Sequence, residues 1–176
     1  MNTSSLLKSM DILFNCLDVN YYVTAADRVY STVDFNKYPI ALIVNTDPER
    51  YEGRHWISFY MEKRGDCQYF DSYGLPIERY WNVQVPAEEF TLENCNIYQS
   101  SLSDTCGNHC LFFLYNRAID VPYSKFVSNY TWSAHRNDNL VRRFVDRIPS
   151  LDSCAYYPCN NKIQICKKRV CCSEFM

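Results

Sequence analysis

Only four glycines stand among the 176 residues of this chain. So small a supply excludes a collagen-like or loop-dominated protein, because both need glycine's backbone freedom at many positions. An excess of one charge is also missing: 18 basic and 20 acidic residues leave a formal net charge of -2. With a sequence pI near 5.9, the chain is unlike a strongly basic nucleic-acid binder, and any such contact needs a local patch. No apolar run is long enough to span a bilayer. The opening Met1-Asn2-Thr3-Ser4-Ser5 lacks the basic-then-apolar pattern of a secretory signal.

What is present is globular composition. Hydrophobic residues make up 47%, with 15 tyrosines and 10 phenylalanines, enough for one sizeable core. The expectation is a single domain over residues 1–150. From residue 151 to 176 a Cys-rich, basic tail follows, without apolar periodicity. The ten cysteines, read without a secretory signal, fit free thiols in a reducing, intracellular compartment rather than a disulfide framework.

Helical spacing of Leu6, Leu7, Met10, Leu13, Phe14 and Leu17 predicts a first helix, with Ser4 or Ser5 as its cap. Residues 18–38 show no clean period and read as an irregular segment. Ile40-Ala41-Leu42-Ile43-Val44 reads as a buried central strand. Strands are also expected from His55 to Met61, from Cys67 to Phe70 and from Asn94 to Gln99, with a turn at Lys63-Arg64-Gly65-Asp66. Cys106 to Ala118 reads as a buried helix capped by Asp104 or Thr105 and ended by Pro122. Asn137 to Ile148 is a final amphipathic helix.

Chemistry concentrates in three segments: His55-Trp56, Phe70-Asp71-Ser72-Tyr73-Gly74, and Gln99 to Gly107. They supply a base, a carboxylate, an amide donor and a thiol. A thiol attacks a carbonyl only as thiolate. A helix start and an adjacent imidazolium both favour that form, and Cys106 has the first and, with His55 near, the second. The hairpin register sets Asp71 beside His55, where it is expected to accept the Nδ1 proton and leave Nε2 for the thiol. The Gln99 amide and the Cys106 backbone N–H are candidates for an oxyanion hole. Gly107 is expected to let a substrate backbone approach. Each residue alone has a plainer structural reading; the joint order favours catalysis. His109 and Cys110 are weaker candidates for base and nucleophile, since both lie a turn inside the helix.

These residues resemble the adenovirus endopeptidase (adenain) family of cysteine proteases, and more distantly the Ulp-type SUMO proteases. The likeness extends through Tyr21-Tyr22-Val23-Thr24, Asp27-Arg28, Ile40 to Thr46, Gly53 to Phe59, Tyr69 to Gly74, and Cys106-Gly107 with Cys110. It implies His55 as base, Asp71 as orienting acid, Cys106 as nucleophile and Gln99 as oxyanion donor. It implies an α+β fold, with a small mixed sheet packed against a central helix that bears the nucleophile. It also implies an endopeptidase acting on viral or Maverick/Polinton-type precursor proteins at Gly-containing sites, in a host nucleus or cytoplasm or in a virion. Adenain is stimulated by DNA and by a short viral peptide. A peptide or DNA activator is what the resemblance allows but is not carried over, because the charge is mildly acidic and the distance of Cys95 from Gln99 does not match the family's pairing cysteine. The residues themselves require no cofactor.

Two other readings stand beside this one. A Ulp-like isopeptidase would act on SUMO or ubiquitin-like C-termini, and a catalytically inactive protease fold would serve as a binding module. In the tail, Cys154, Cys159, Cys166, Cys171 and Cys172 are spaced more widely than zinc ribbons and lack a histidine, so free thiols are expected there rather than a metal. Lys162, Lys167, Lys168 and Arg169 suit a solvated tail, or weak nucleic-acid contact through it.

Overall fold

The computed structural model describes residues 1–87 and 89–152. The cysteines and lysines expected in a C-terminal tail lie outside the described residues. Helix α1, Thr3–Phe14, turns Leu6, Met10, Leu13 and Phe14 inward, as their spacing requires. Its cap is Asn2 rather than Ser4 or Ser5: the Asn2 side chain accepts the Ser5 N–H at 2.9 Å. Strand β1, Asn20–Ala25, follows, then a short α2, Val29–Thr32.

Strands β2, Ile40–Asn45, β3, Trp56–Met61, β4, Gln68–Phe70, and β5, Leu92–Glu93, complete one five-stranded sheet in the order β1-β2-β3-β4-β5. Both edge pairings are parallel and the two central ones antiparallel. Every residue of β2 and β3 is buried, which explains why β2 reads as a continuous apolar run.

Two expectations are corrected here. Residues 18–38 are not irregular throughout, since β1 pairs residue for residue with β2 from Asn20↔Ile40 to Ala25↔Asn45. An edge strand with half-exposed tyrosines has no need of strict alternation, so its period was hidden. Conversely, Asn94 to Gln99 is a loop; only Leu92–Glu93 pairs with β4. The loop instead donates the Tyr98 and Gln99 N–H groups to the Ser72 carbonyl at 2.9 and 3.0 Å.

Helix α3 runs Cys106–Ala118, with Cys106 through Asn116 all buried. A short α4, Tyr123–Val127, starts after Pro122, and α5 spans Ala134–Asp152. Helix α3 itself ends at Ala118, before Pro122. Helices α1, α3 and α5 pack on one face of the sheet around Ala41, Ile43, Phe70 and Phe113. The Phe70 and Phe113 rings stack with centroids 4.9 Å apart; each fully buried ring contributes roughly 1.5–3 kcal/mol. Ile40, Leu42, Val44, Phe59 and Tyr69 form a second core on the other face. Among the described residues no helix is long and apolar enough to cross a membrane.

Candidate active site

The sheet and α3 bring the predicted residues to one place. His55 immediately precedes β3 and Asp71 immediately follows β4. The β3–β4 register pairs Ser58 with Phe70, so the chain positions carrying His55 and Asp71 converge at one end of the hairpin. His55 Nε2 lies 2.6 Å from Asp71 Oδ1, both side chains buried. A carboxylate only accepts, so Nε2 carries the proton.

This reverses the expected ring orientation. Nε2, not Nδ1, meets Asp71. Nδ1 is buried without a hydrogen-bond partner, and the Cys106 sulfur helps to raise the pKa of the ring. The flip is a matter of which way the ring leaves the strand end, and hairpin register alone does not decide it.

His55 and Cys106 each favour the charged form of the other. Burial is the largest influence on His55 and disfavours its charge. The Asp71 hydrogen bond and then the Cys106 sulfur outweigh it, raising the pKa to about 9. For Cys106, burial again acts first and pushes the thiol up. The His55 ring and its charge, with smaller help from the Trp56 and Gly107 backbone, bring it below its ordinary value. The helix start adds to this, since its N–H groups carry partial positive charge.

Asp71 is itself held firmly. Besides His55 it accepts the Tyr73 N–H at 3.0 Å, the Leu75 N–H at 3.1 Å and the Tyr80 hydroxyl at 2.8 Å. Asn94 brackets its backbone, accepting the Asp71 N–H and donating to its carbonyl, each at 2.7 Å. Gly74 permits the turn: its φ is +64°, and a Cβ there would lie 2.8 Å from the Asn96 backbone.

Gln99 is buried beside this group. Its Oε1 accepts from the Ser72 hydroxyl at 2.6 Å, and its Nε2 donates to the Ser103 carbonyl at 2.9 Å. Those bonds set which end of the amide is nitrogen and leave Nε2 a second N–H.

No protein-family model matches the chain. It is similar to cysteine proteases of African swine fever virus. The "SUMO-1 cysteine protease" of a South African tick isolate is 31% identical over 100 residues, covering 49% of this chain and 36% of the relative. The "Cysteine protease" of the Vero-adapted Badajoz strain matches with the same identity and coverage. The chain thus spans about a third of the length of the curated relatives it matches.

The two weaker candidates are set apart by burial. Cys110 is fully buried, donates to the Trp56 carbonyl at 3.3 Å, and burial pushes its thiol well above the ordinary value. His109, also fully buried, lies between Asp138 at 3.1 Å and the Tyr130 hydroxyl at 3.0 Å. Burial lowers its pKa to about 4.

Gly107 serves packing rather than substrate approach: a Cβ there would sit 3.1 Å from Leu6 Cδ2 and 3.4 Å from Met1 Cβ. Thr105 occupies the α3 cap position but makes no side-chain cap bond; its hydroxyl turns instead to Asp138 at 2.8 Å. Sequence reasoning missed Asp138, Asn94 and Tyr80. The one available signal was at α5, where polar Asn137 and Asp138 head the otherwise apolar stripe of Val141, Phe144 and Ile148, all five buried. Asn94 and Tyr80 act on Asp71 across the fold and leave no mark in local pattern.

Proposed function

We propose that this chain is a cysteine endopeptidase in which His55, Asp71 and Cys106 do the chemistry and Gln99 assists. One observation carries the reading: a buried His55–Asp71 pair at 2.6 Å that leaves the other ring nitrogen without a hydrogen-bond partner, with a thiol at a helix start whose pKa the ring lowers. The imidazolium–thiolate pair is the resting state. The Cys106 sulfur attacks the scissile carbonyl carbon, forming a C–S bond and an oxyanion. The Cys106 N–H and the free Gln99 N–H stabilise that oxygen. His55 Nδ1 gives its proton to the leaving amine as the C–N bond breaks, and a thioester remains. Water then attacks, its proton passing to His55, and the acid product leaves as the thiol pair re-forms. Asp71 keeps the ring oriented throughout.

The resemblance to adenain and the viral source of the similar proteases support precursor proteins of a virus or mobile element as substrates, cleaved at Gly-containing sites. A reactive thiolate is preserved in a reducing setting, and the resemblance to adenain supports work in a host nucleus or cytoplasm or in a virion. A second reading, a SUMO or ubiquitin-like isopeptidase, is favoured by the name "SUMO-1 cysteine protease" borne by a similar protein.

Profiling the purified chain against a peptide library, with and without DNA and activator peptides, tests the first reading. Cleavage at Gly-containing sites that disappears in Cys106→Ala supports it. No cleavage under any condition, together with no preferential alkylation of Cys106, leaves an inactive binding module. Rapid capture of a SUMO or ubiquitin probe with a C-terminal electrophile selects the isopeptidase.

A further inference from the structure

One carboxylate from α5 grips both ends of the loop that joins Gln99 to Cys106. Asp138 Oδ2 accepts the Ser100 N–H at 3.3 Å, next to Gln99. Its Oδ1 accepts the Thr105 hydroxyl at 2.8 Å, next to Cys106. The same Oδ1 accepts from His109 Nε2 at 3.1 Å. Because a carboxylate only accepts, that nitrogen holds the ring proton, and Nδ1 accepts from the Tyr130 hydroxyl.

Asp138 is 1% exposed. Burying an anion is costly unless donors surround it, and an apolar residue would fill the same space at lower cost. Neighbouring contacts act on the same segment. Asn137 Nδ2 donates to the Tyr98 carbonyl at 3.1 Å, and Arg142 lies 3.6 Å from Asp104. Inside the loop, the Ser103 carbonyl accepts from Gln99 Nε2 at 2.9 Å. The grip on the loop therefore reaches the amide that would meet an oxyanion.

We propose that Asp138, acting through Thr105 and Ser100, is a positioning residue that sets the Gln99 amide relative to the Cys106 sulfur. This rests on the proteolytic reading above. His109 orients the carboxylate and takes no proton from the nucleophile. The Asp138 contacts named here run to Ser100, Thr105 and His109 and not to His55 or the Cys106 sulfur, so losing the carboxylate should loosen the oxyanion donor and leave the thiolate intact.

The experiment compares wild type with Thr105→Val, Thr105→Ser and Asp138→Asn, each normalised to alkylatable Cys106. Three quantities are read: peptide cleavage, iodoacetamide alkylation of Cys106 against pH, and affinity for a peptide aldehyde ending in Gly-glycinal. The aldehyde adduct places an oxyanion in the hole, whereas alkylation needs only the thiolate. Expected for Thr105→Val are a kcat at least ~10-fold lower and aldehyde affinity reduced to match, since a misplaced donor loses part of its ~10²–10³-fold effect. KM and the alkylation profile should stay at wild type, and Thr105→Ser should restore turnover. Asp138→Asn should act in the same direction, giving a second measure if one variant folds poorly. Wild-type kcat and aldehyde affinity in folded Thr105→Val and Asp138→Asn overturn the proposal while proteolysis stands. So does an alkylation rate that falls as far as kcat, because the effect would then lie on the nucleophile. A wild-type chain that neither cleaves peptide nor captures the aldehyde overturns both readings together.

Discussion

His55 offers Nε2 to Asp71 Oδ1 at 2.6 Å, and this single contact decides which face of the imidazole is left for Cys106. The pair forms where two antiparallel strands end side by side, so its geometry belongs to the sheet rather than to a mobile loop. A site built on a strand end is held within the tolerance that proton transfer requires.

Removing the thiol or the ring should end turnover. Cys106→Ala and His55→Ala are each expected to lower kcat by at least ~10⁴-fold, the scale on which members of such a unit fail together. Cys106→Ala should stay folded, with Tm within roughly a few degrees of wild type. Peptide cleavage and thermal melts check both statements, and wild-type rates in Cys106→Ala would exclude the assignment.

Asp71→Asn should be milder in rate yet measurable in stability. The new amide must face donors, because the Tyr73 and Leu75 N–H groups and the Tyr80 hydroxyl all donate to the carboxylate. One of them losing its acceptor costs about 1–3 kcal/mol. The His55 pKa should fall, moving the alkaline limb of the rate profile to lower pH. Urea unfolding and a kcat–pH series read the two effects.

The pH dependence has a definite sign. The His55 pKa is raised from 6.5 to about 9. Its stabilising contribution is therefore complete below pH 6.5 and is lost as pH rises through about 9. Turnover should decline over the same alkaline range, because the leaving amine loses its proton donor. Cys106 should alkylate at pH values where Cys110 does not, since its thiol is lowered and that of Cys110 is raised. Mass-spectrometric mapping of iodoacetamide adducts against pH separates the two thiols.

Acid should weaken the fold through His109. Burial lowers its pKa from 6.5 to about 4, so the unfolded chain binds the proton first. Stability should fall by up to roughly 3 kcal/mol as pH drops from 6.5 to 4, at about 1.4 kcal/mol for each pKa unit. Urea melts across that range test it; a flat profile would refute the burial argument.

Gly74→Ala should damage the acid end of the site. A left-handed φ of +64° and an Asn96 backbone atom 2.8 Å from the added Cβ leave no relaxed position. A loss of about 1–3 kcal/mol is expected, with kcat reduced as the Asp71 turn shifts. Calorimetry and peptide cleavage on the same sample check both.

Local pattern made some of this legible and concealed the rest. The α1 stripe, the β2 run and the bounds of α3 were readable because apolar spacing and burial agree there. Strand β1 was concealed because its half-buried edge tolerates polar and aromatic residues alike. The loop at Asn94 to Gln99 looked extended, yet Asn94 turns its side chain onto the Asp71 backbone instead of entering the sheet.

The amino-acid order alone determined which chemical groups exist, which helix carries the thiol, and that a histidine and an aspartate flank one hairpin. These are local properties, set by side-chain type and by periodicity of 2 or 3.6 residues. Only the tertiary structure decided that Nε2 rather than Nδ1 meets Asp71, that Gly107 gives way to Leu6, and that Asp138 spans both ends of the loop before Cys106. Such facts depend on directions of side chains from elements far apart in the chain, and packing sets those directions.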